Sequence, residues 1–152
     1  MKIILFKPEI PQNTGNIIRT CFLTNTDLSI VTPASFSLSN KNLKRAGLDY
    51  FKDVNLEKID DLEKYLIDKK SFYFFSSKAQ KKYTDIEYPK NSILIFGSET
   101  SGLPDIFFEK YPSNFLTIPM KENSRCLNLS NTVAIALYEA LRQNNFSFEV
   151  KL

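Results

Sequence analysis

Histidine is absent from the sequence. A chain without histidine cannot use a Ser-His-Asp or Cys-His mechanism, a histidine general base or a histidine-ligated zinc ion. Cysteine is scarce: Cys21 and Cys126 are the two present, and neither belongs to a C-x-x-C pair. This pattern favours free thiols in a reducing compartment over a disulfide framework or a zinc site. We therefore expect a cytoplasmic protein that holds no metal ion.

Long apolar runs are also missing. No run approaches the roughly 20 residues of a transmembrane helix, and the strand-like start of the chain carries no signal-peptide cleavage site, so we expect no membrane partner. The 152 residues are 43% hydrophobic and 24% charged. This composition predicts a single domain over residues 1–152 that buries roughly 70% of its unfolded surface. The formal net charge of +3 is too small to prove a nucleic-acid partner.

Short apolar runs alternate with helix-like patterns along the chain. Strands are predicted at residues 2–6, 28–31, 72–75, 93–96 and 115–118. Helices are predicted from Gln12 onward, near Lys41 to Ala46 with Gly47 ending the helix, at 60–69, and at roughly 129–143. The alternation predicts an α/β fold, with a mostly parallel sheet and helices on both faces.

The stretch from Ile118 to Asn131 holds most of the polar groups that could carry chemistry. Asn128, Ser130 and Asn131 favour a helix N-terminus, because their side-chain oxygens accept hydrogen bonds from unpaired backbone N–H groups. The stretch joins a predicted strand to the last predicted helix. Ligands of open α/β sheets bind at such loops, after the carboxyl ends of the strands.

Residues 97–102 (Gly-Ser-Glu-Thr-Ser-Gly) also suggest a binding loop. The segment lacks the third glycine of G-x-G-x-x-G and the Gly-Lys-Ser/Thr of a P-loop, and it does not fit the G-x-S-x-G nucleophile motif. Taken alone, it is equally compatible with a tight turn whose Ser98 or Glu99 caps a helix.

Asn13 and Arg19 lie six residues apart across the start of a predicted helix, and both could face the loop after the first strand. Asn13 by itself is typical of a helix cap. Arg19 stands between apolar neighbours, where an arginine needs a partner, and its guanidinium suits phosphate or ribose recognition.

Other candidates have equally simple structural interpretations when taken singly. Two basic clusters fit ordinary solvated surfaces, one of Lys41, Lys44 and Arg45 and one of Lys78, Lys81 and Lys82. Tyr138 fits a core or interface aromatic. Cys126 fits a small packed residue, since no histidine is available to stabilise its thiolate.

Three segments together resemble the three motifs of the SPOUT methyltransferases. They are PEIPQNTGNIIRTC at residues 8–21, FGSETSGLP at 96–104, and IPM at 118–120 followed by SRCLNLSN at 124–131. Their order and spacing are similar to those of the small, single-domain TrmL (YibK-like) branch, and the resemblance spans the chain from end to end.

The resemblance implies a tRNA 2′-O-methyltransferase. Such an enzyme takes a methyl group from S-adenosylmethionine and places it on the ribose of the wobble nucleotide, a cytidine or a modified uridine, in the anticodon stem-loop of leucine tRNAs. It also implies a deep trefoil knot in the carboxyl-terminal part of the fold. The family works as a homodimer, so the active site is expected to draw on both chains.

The resemblance also assigns roles to individual positions. The implied cofactor-binding residues are Phe75, Gly97, Ile118, Met120, Cys126 and Leu127. The implied catalytic residues are Asn13, Arg19, Glu99 and Asn128. The implied RNA contacts are Arg19, Lys41, Lys44, Arg45 and Arg125, and Tyr138 matches a dimer-packing position.

The sequence departs from the family pattern at two of its positions. Cys126 stands where other members have Ser, and Ser101 where some have Arg. The departures leave an alternative open: a knotted RNA-binding protein that has lost methyl transfer.

Overall fold

Six parallel strands form one sheet in the computed structural model, which describes residues 1–36, 54–122 and 124–148. The strands are β1 (Lys2–Phe6), β2 (Asp27–Val31), β3 (Leu56–Ile59), β4 (Phe72–Phe75), β5 (Ile93–Phe96) and β6 (Phe115–Leu116). Their order across the sheet is β3-β2-β1-β5-β4-β6, with every pairing parallel. The predicted α/β class with a parallel sheet is confirmed.

Four helices connect or cover the strands of the described chain. They are α1 (Pro11–Leu23), α2 (Leu62–Leu66), α3 (Asp105–Lys110) and α4 (Leu129–Gln143), and a short 3₁₀ turn occupies Pro112–Asn114. In the parts of the chain that the structure describes, none of these helices has the length and apolar character needed to span a membrane.

The two faces of the sheet bury separate apolar clusters. On one face α1 and α4 cover β1 and β5, and Ile17 and Leu137 pack there in the same cluster as Leu94. On the other face Leu66 of α2 and Phe107 of α3 join a second cluster. Helices therefore cover both faces, as predicted. Such double coverage explains why the central strands read as continuous apolar runs.

Two elements were not predicted. β3 (Leu-Glu-Lys-Ile) alternates polar and apolar residues and lies at the edge of the sheet, so its apolar signal is short. α3 has only six residues, enclosed between two prolines, Pro104 and Pro112. α2 is also shorter than the predicted 60–69: Asp61 accepts a 3.1 Å bond from the backbone N–H of Lys64 at its start. The predicted helix near Lys41 to Ala46, with Gly47 at its end, lies outside the described residues.

The connection from β4 to β5 encloses β6. On one side of the strand the Ser76 N–H donates to the Leu116 carbonyl at 3.0 Å. On the other side Thr117 donates to the Lys81 carbonyl at 2.8 Å, and Tyr83 donates to the Thr117 carbonyl at 2.9 Å. The chain leaving β4 therefore crosses the end of β6, follows its outer edge and returns to β5.

Candidate active site

A cavity of about 560 Å³ opens at the carboxyl ends of β4, β5 and β6. Phe75 and Phe96, the last residues of β4 and β5, line it together with Ile118, two residues beyond β6. The volume falls within the range of roughly 300–1,000 Å³ that is usual for small-molecule sites. The cavity also lies where the sequence predicted a ligand site, at the loop after a strand.

The loop at residues 97–103 forms one wall and depends on two glycines. Ser98 and Gly102 exchange backbone hydrogen bonds of 3.1 and 3.0 Å, which fold the loop back on itself. A Cβ atom on Gly97 would lie 2.3 Å from the carbonyl carbon of Gly102 and 2.6 Å from the nitrogen of Leu103. Gly102 has a φ of +68°, which favours glycine. The two glycines thus allow the two ends of the loop to pack closely against each other, and the loop does so without the sequence of a P-loop.

Glu99 ties this wall to the start of α1. Its carboxylate accepts hydrogen bonds from the backbone N–H groups of Glu9 (2.8 Å) and Ile10 (3.2 Å), and from Asn13 Nδ2 (3.0 Å). The bond to Ile10 matters because Ile10 is the N-cap of α1 and cannot cap the helix with its own side chain. The prediction of a tight turn whose Glu99 caps a helix is therefore confirmed, but the helix is α1 and not the one that follows, because Pro104 is the N-cap of α3.

Glu9 makes the reciprocal contact, from the start of α1 to the 97–103 loop. Its carboxylate accepts from Thr100 Oγ1 at 2.6 Å and from the Thr100 N–H at 3.2 Å. The segments around Glu9 and Glu99 therefore hold each other through two carboxylates and three backbone donors. This arrangement fixes the position of the 97–103 loop relative to α1.

Asn13 and Asn128 complete a network with Glu99. Asn128 Nδ2 donates to Asn13 Oδ1 at 2.8 Å, and Asn13 is only 5% exposed. Asn128 Oδ1 accepts from the N–H groups of Ser130 (2.9 Å) and Asn131 (3.4 Å), so Asn128 caps α4 as predicted. The prediction that Asn13 is a cap is wrong, because Asn13 is the third residue of α1 and bridges Glu99 to Asn128.

Arg19 projects from a different side of α1 than Asn13. An α-helix turns by roughly 100° per residue, so a separation of six residues places Arg19 about 120° away from Asn13 around the helix axis. Asn13 is buried and lines the cavity, whereas Arg19 is exposed and lies outside its lining. Of the two side chains Asn13 lines the cavity, and the prediction that both face the loop after the first strand stays a prediction.

All six cofactor-binding residues implied by the resemblance line the cavity: Phe75, Gly97, Ile118, Met120, Cys126 and Leu127. Cys126 is exposed, and its Sγ lies 3.5 Å from Ser77 Oγ. Ser101, the other departure from the family pattern, also lines the cavity.

The implied RNA contacts remain predictions. Arg125 is exposed and lies outside the cavity lining. The cluster of Lys41, Lys44 and Arg45 falls outside the described residues. The other lining residues include Lys78, which the sequence placed only in a basic cluster, and Phe108, to which it gave no role. Lys78 could have been found from its basic cluster directly after β4, whereas Phe108 lies in α3, which carried no clear helix signal.

The two thiols differ in character, and both are free. Cys21 is completely buried in the core between α1 and the sheet. Burial, with a further contribution from the charge of Asp27, raises the pKa of the Cys21 thiol to about 12. Cys21 is therefore an unreactive core residue, and Cys126 is the thiol that a ligand in the cavity would meet.

Comparison with known proteins assigns the chain to a methyltransferase family. The sequence pattern of the SpoU rRNA Methylase family matches residues 1–138, so the chain belongs to that family. A Listeria monocytogenes protein described as a candidate tRNA (cytidine(34)-2′-O)-methyltransferase is 48% identical over 149 residues, which cover 95% of this chain and 88% of that protein.

Solved structures agree with this assignment. One, titled "Structural insights into the 2-OH methylation of C/U34 on tRNA", matches with a TM-score of 0.89 and 35% identity over 95% of each chain. An S-adenosylmethionine-bound rRNA methyltransferase from Sinorhizobium meliloti has the same fold, with a TM-score of 0.82 and 21% identity over 93% of this chain and 55% of that one. The resemblance to the SPOUT methyltransferases is thus confirmed.

Proposed function

We propose that this protein is an S-adenosylmethionine-dependent tRNA 2′-O-methyltransferase acting on the ribose of nucleotide 34. One observation carries the proposal: the Glu99–Asn13–Asn128 network lies at the same cavity as all six residues implied for cofactor binding. A ligand held by those six residues would place its reactive end beside a fixed set of amide and carboxylate groups.

The choice of RNA follows from the relatives. The family name refers to rRNA, but the Listeria relative is named for cytidine 34 of tRNA and the solved structure at 35% identity for C/U34 of tRNA. A cytidine or a modified uridine at the wobble position is therefore the proposed target. Leucine tRNAs are proposed as the substrates on the resemblance of the motifs, and the cytoplasm is the corresponding location.

The cavity fits S-adenosylmethionine. Phe75, Ile118 and Leu127 supply apolar walls for the adenosyl part, and the close packing of Gly97 against the 102–103 backbone fixes the wall beside them. When bound, the cofactor supplies a methyl group already activated by a sulfonium charge. The binding of S-adenosylmethionine by the Sinorhizobium meliloti neighbour supports the same choice of donor.

The chain's own residues position the ribose hydroxyl. Asn13 and Asn128 are held by hydrogen bonds at 3.0 and 2.8 Å, so their amides need little reorganisation when a substrate enters. Arg19 remains the proposed activator. Because an arginine guanidinium stays protonated in proteins, we assign it to orienting a phosphate or polarising the hydroxyl, and not to accepting the proton.

We propose that Arg19 reaches the site of a partner protomer in a homodimer. Two observations support this: Arg19 is exposed outside its own cavity, and apolar side chains lie exposed on the packed helices α1 and α4, with Leu23 at 54%, Ile135 at 37% and Tyr138 at 47%. Mixing Arg19→Ala with Asn128→Ala subunits tests the arrangement. Mixed dimers should regain methylation if Arg19 acts in the partner's site, and no recovery would contradict the arrangement.

We also propose the deep trefoil knot. The enclosure of β6 by the β4–β5 connection supports it, as do the bonds that Gln143 of α4 makes to the backbone of Ile86 (3.1 Å) and Tyr88 (2.9 Å) in the same connection. Stretching single molecules by their two ends provides a test. An unknotted chain of 152 residues can be stretched to roughly 3.3–3.6 Å per residue. The end-to-end length of the stretched protein should fall short of that value, because a tightened knot retains some of the chain.

Transfer of labelled methyl groups to tRNA tests the function directly. Purified protein, labelled S-adenosylmethionine and total tRNA should yield label in the ribose of nucleotide 34, located by nuclease digestion. Binding of tRNA without any transfer would instead identify the alternative, an RNA-binding protein that has lost catalysis. Cys126 and Ser101 leave that alternative open, whereas the intact network argues against it.

Replacing Arg19 separates catalysis from cofactor binding. Arg19→Ala should lose methylation while its dissociation constant for S-adenosylmethionine stays within about threefold of wild type, because Arg19 lies outside the cavity lining. Calorimetry measures the binding and labelled transfer measures the turnover. Unchanged turnover in this variant would end the assignment of Arg19.

A further inference from the structure

Lys78 is the one cationic side chain among the described residues that line the main cavity. The one carboxylate in that lining is Glu99, whose oxygens already accept three N–H groups. An RNA strand carries a phosphate on each side of the target ribose, and a phosphate entering this region needs a cation. Lys78 is therefore the residue of the cavity that can neutralise it.

Lys78 also belongs to a second cavity of about 460 Å³. The two cavities share Lys78 and Phe108 in their linings, so they adjoin at these two side chains. Lys81 adds a second cation to the smaller cavity, and Gln80 and Ser113 add neutral polar groups. The smaller cavity thus combines two lysines with an aromatic side chain and adjoins the cavity proposed for the cofactor.

The current partner of Lys78 can be exchanged. Its Nζ lies 3.4 Å from Asp105 Oδ1, and the two side chains are 73% and 80% exposed. Exposed ion pairs of this kind contribute little to stability, because water screens them and both side chains lose freedom. A phosphate can replace Asp105 at small expense to the fold.

We propose that the second cavity binds the RNA segment next to the target nucleotide, with Lys78 and Lys81 contacting its phosphates and Phe108 contacting a base or sugar. The inference rests on the proposed function and names a substrate subsite for it. Cationic grooves with aromatic side chains are the usual means of binding single-stranded RNA, because phosphates are neutralised and bases find an apolar surface. Residues 78–81 lie in the connection that wraps β6, so they are fixed relative to the cavity.

Direct RNA binding tests the inference without requiring turnover. The probe is a fluorescently labelled anticodon stem-loop RNA, and its affinity is measured by anisotropy between 50 and 200 mM salt. We expect Lys78→Ala and Lys81→Ala each to weaken binding roughly 5- to 20-fold at low salt. Each should also lower the slope of log affinity against log salt by about 0.7, the value for one phosphate on a single strand.

Lys64→Ala is the matched control. Lys64 is also an exposed lysine paired with an aspartate, Asp61 at 3.6 Å, but it lines neither cavity. Its RNA affinity and salt slope should equal those of wild type. The same affinity and slope in the Lys78 and Lys81 variants would overturn the inference.

Cofactor binding separates the two anions that Lys78 could meet. If Lys78→Ala weakens S-adenosylmethionine binding and leaves RNA affinity unchanged, the lysine contacts the cofactor's carboxylate and the inference is wrong. Wild-type protein that binds the RNA but transfers no methyl group would contradict the proposed function alone, since the lysine variants would still be compared by their RNA affinity.

Discussion

The two loops that wall the main cavity are held in different ways. The loop at 97–103 is closed by the Ser98–Gly102 bridge and tied to α1 through Glu99 and Thr100. The segment that follows Ile118 has mostly exposed residues in its described part, including Met120 at 37% and Leu127 at 39%. The printed sequence alone does not distinguish them, since both are short polar segments after strands.

This difference suggests that the two walls have different tasks. A wall whose backbone donors are already satisfied can present a fixed surface to a ligand. A wall of exposed side chains is stabilised mainly when a ligand covers it, because exposed segments with few tertiary contacts open at low free energy. We therefore expect substitutions in the first wall to damage the fold, and ligand binding to change mainly the second.

The largest effect is expected at Gly97. In Gly97→Ala the new Cβ would lie 2.3 Å from the backbone of Gly102, which cannot move without opening the loop. We expect a loss of about 3 kcal/mol or more in the free energy of unfolding, together with loss of S-adenosylmethionine binding. Urea denaturation and calorimetry measure the two quantities.

Gly102→Ala is the control for Gly97. A Cβ at Gly102 meets no atom within 4 Å among the described residues, and only the positive φ of 68° opposes it. The expected loss is about 1 kcal/mol. Equal stabilities for the two variants would contradict the close approach of the 102–103 backbone to Gly97.

Asn128 joins the fixed network to the second wall, and two substitutions separate its two tasks. Asn128→Ala removes the cap of α4 and should lower the free energy of unfolding by about 1–2 kcal/mol. Asn128→Asp keeps an acceptor for the N–H groups of Ser130 and Asn131 but loses the donor to Asn13 Oδ1. For the Asp variant we expect α4 to stay capped, a loss of about 1–3 kcal/mol because the buried Asn13 Oδ1 loses its donor, and a fall in turnover of about 10- to 100-fold. Full turnover would show that the Asn13 contact is dispensable.

Ligand binding should act on the second wall more than on the first. At saturating S-adenosylmethionine, amide hydrogen exchange over residues 118–127 should slow by roughly 10-fold or more, because the ligand covers this segment. Residues 98–102 should change much less, since Ser98 and Gly102 are already paired. Mass spectrometry of peptic peptides measures both segments in one experiment. Equal protection of the two segments would contradict the contrast between the walls.

The smallest effect is expected at Cys126. Cys126→Ser introduces the residue that the motif resemblance implies at this position, and its hydroxyl can still reach Ser77 Oγ. The dissociation constant for S-adenosylmethionine should change by less than about threefold. Cys126→Trp provides the contrast: its bulk should fill the cavity and abolish binding. A tryptophan variant that binds normally would place Cys126 away from the ligand.

Local pattern predicted some elements well and others poorly. β1, β5 and α4 were predicted at their observed bounds, because three or more consecutive buried residues or a full apolar stripe leave a clear signal. The two-residue strand β6 was predicted too long: Thr117 pairs with Lys82 by a single bridge beyond its end. Such endings depend on partners far away in the chain.

In the site, too, local features were predicted from the sequence and features that depend on distant residues were not. Asn128 was predicted as a cap because a cap is a local feature of a helix. The role of Asn13 could not be read from its neighbours, since its partners Glu99 and Asn128 lie 86 and 115 residues away. Motif resemblance supplied the cofactor-binding residues, and only the structure showed that Asn13 lines the cavity whereas Arg19 does not.

These long separations have a consequence for biosynthesis. Contacts between residues so far apart form late in folding, because the entropy of closing large loops must first be offset by the packing of the sheet and helices. A nascent chain that has emerged only through α3 has Glu99 and Asn13 but not Asn128. Methyl transfer should therefore appear only after α4 has been synthesised and docked, so that unfinished chains bearing a partial site do not modify RNA.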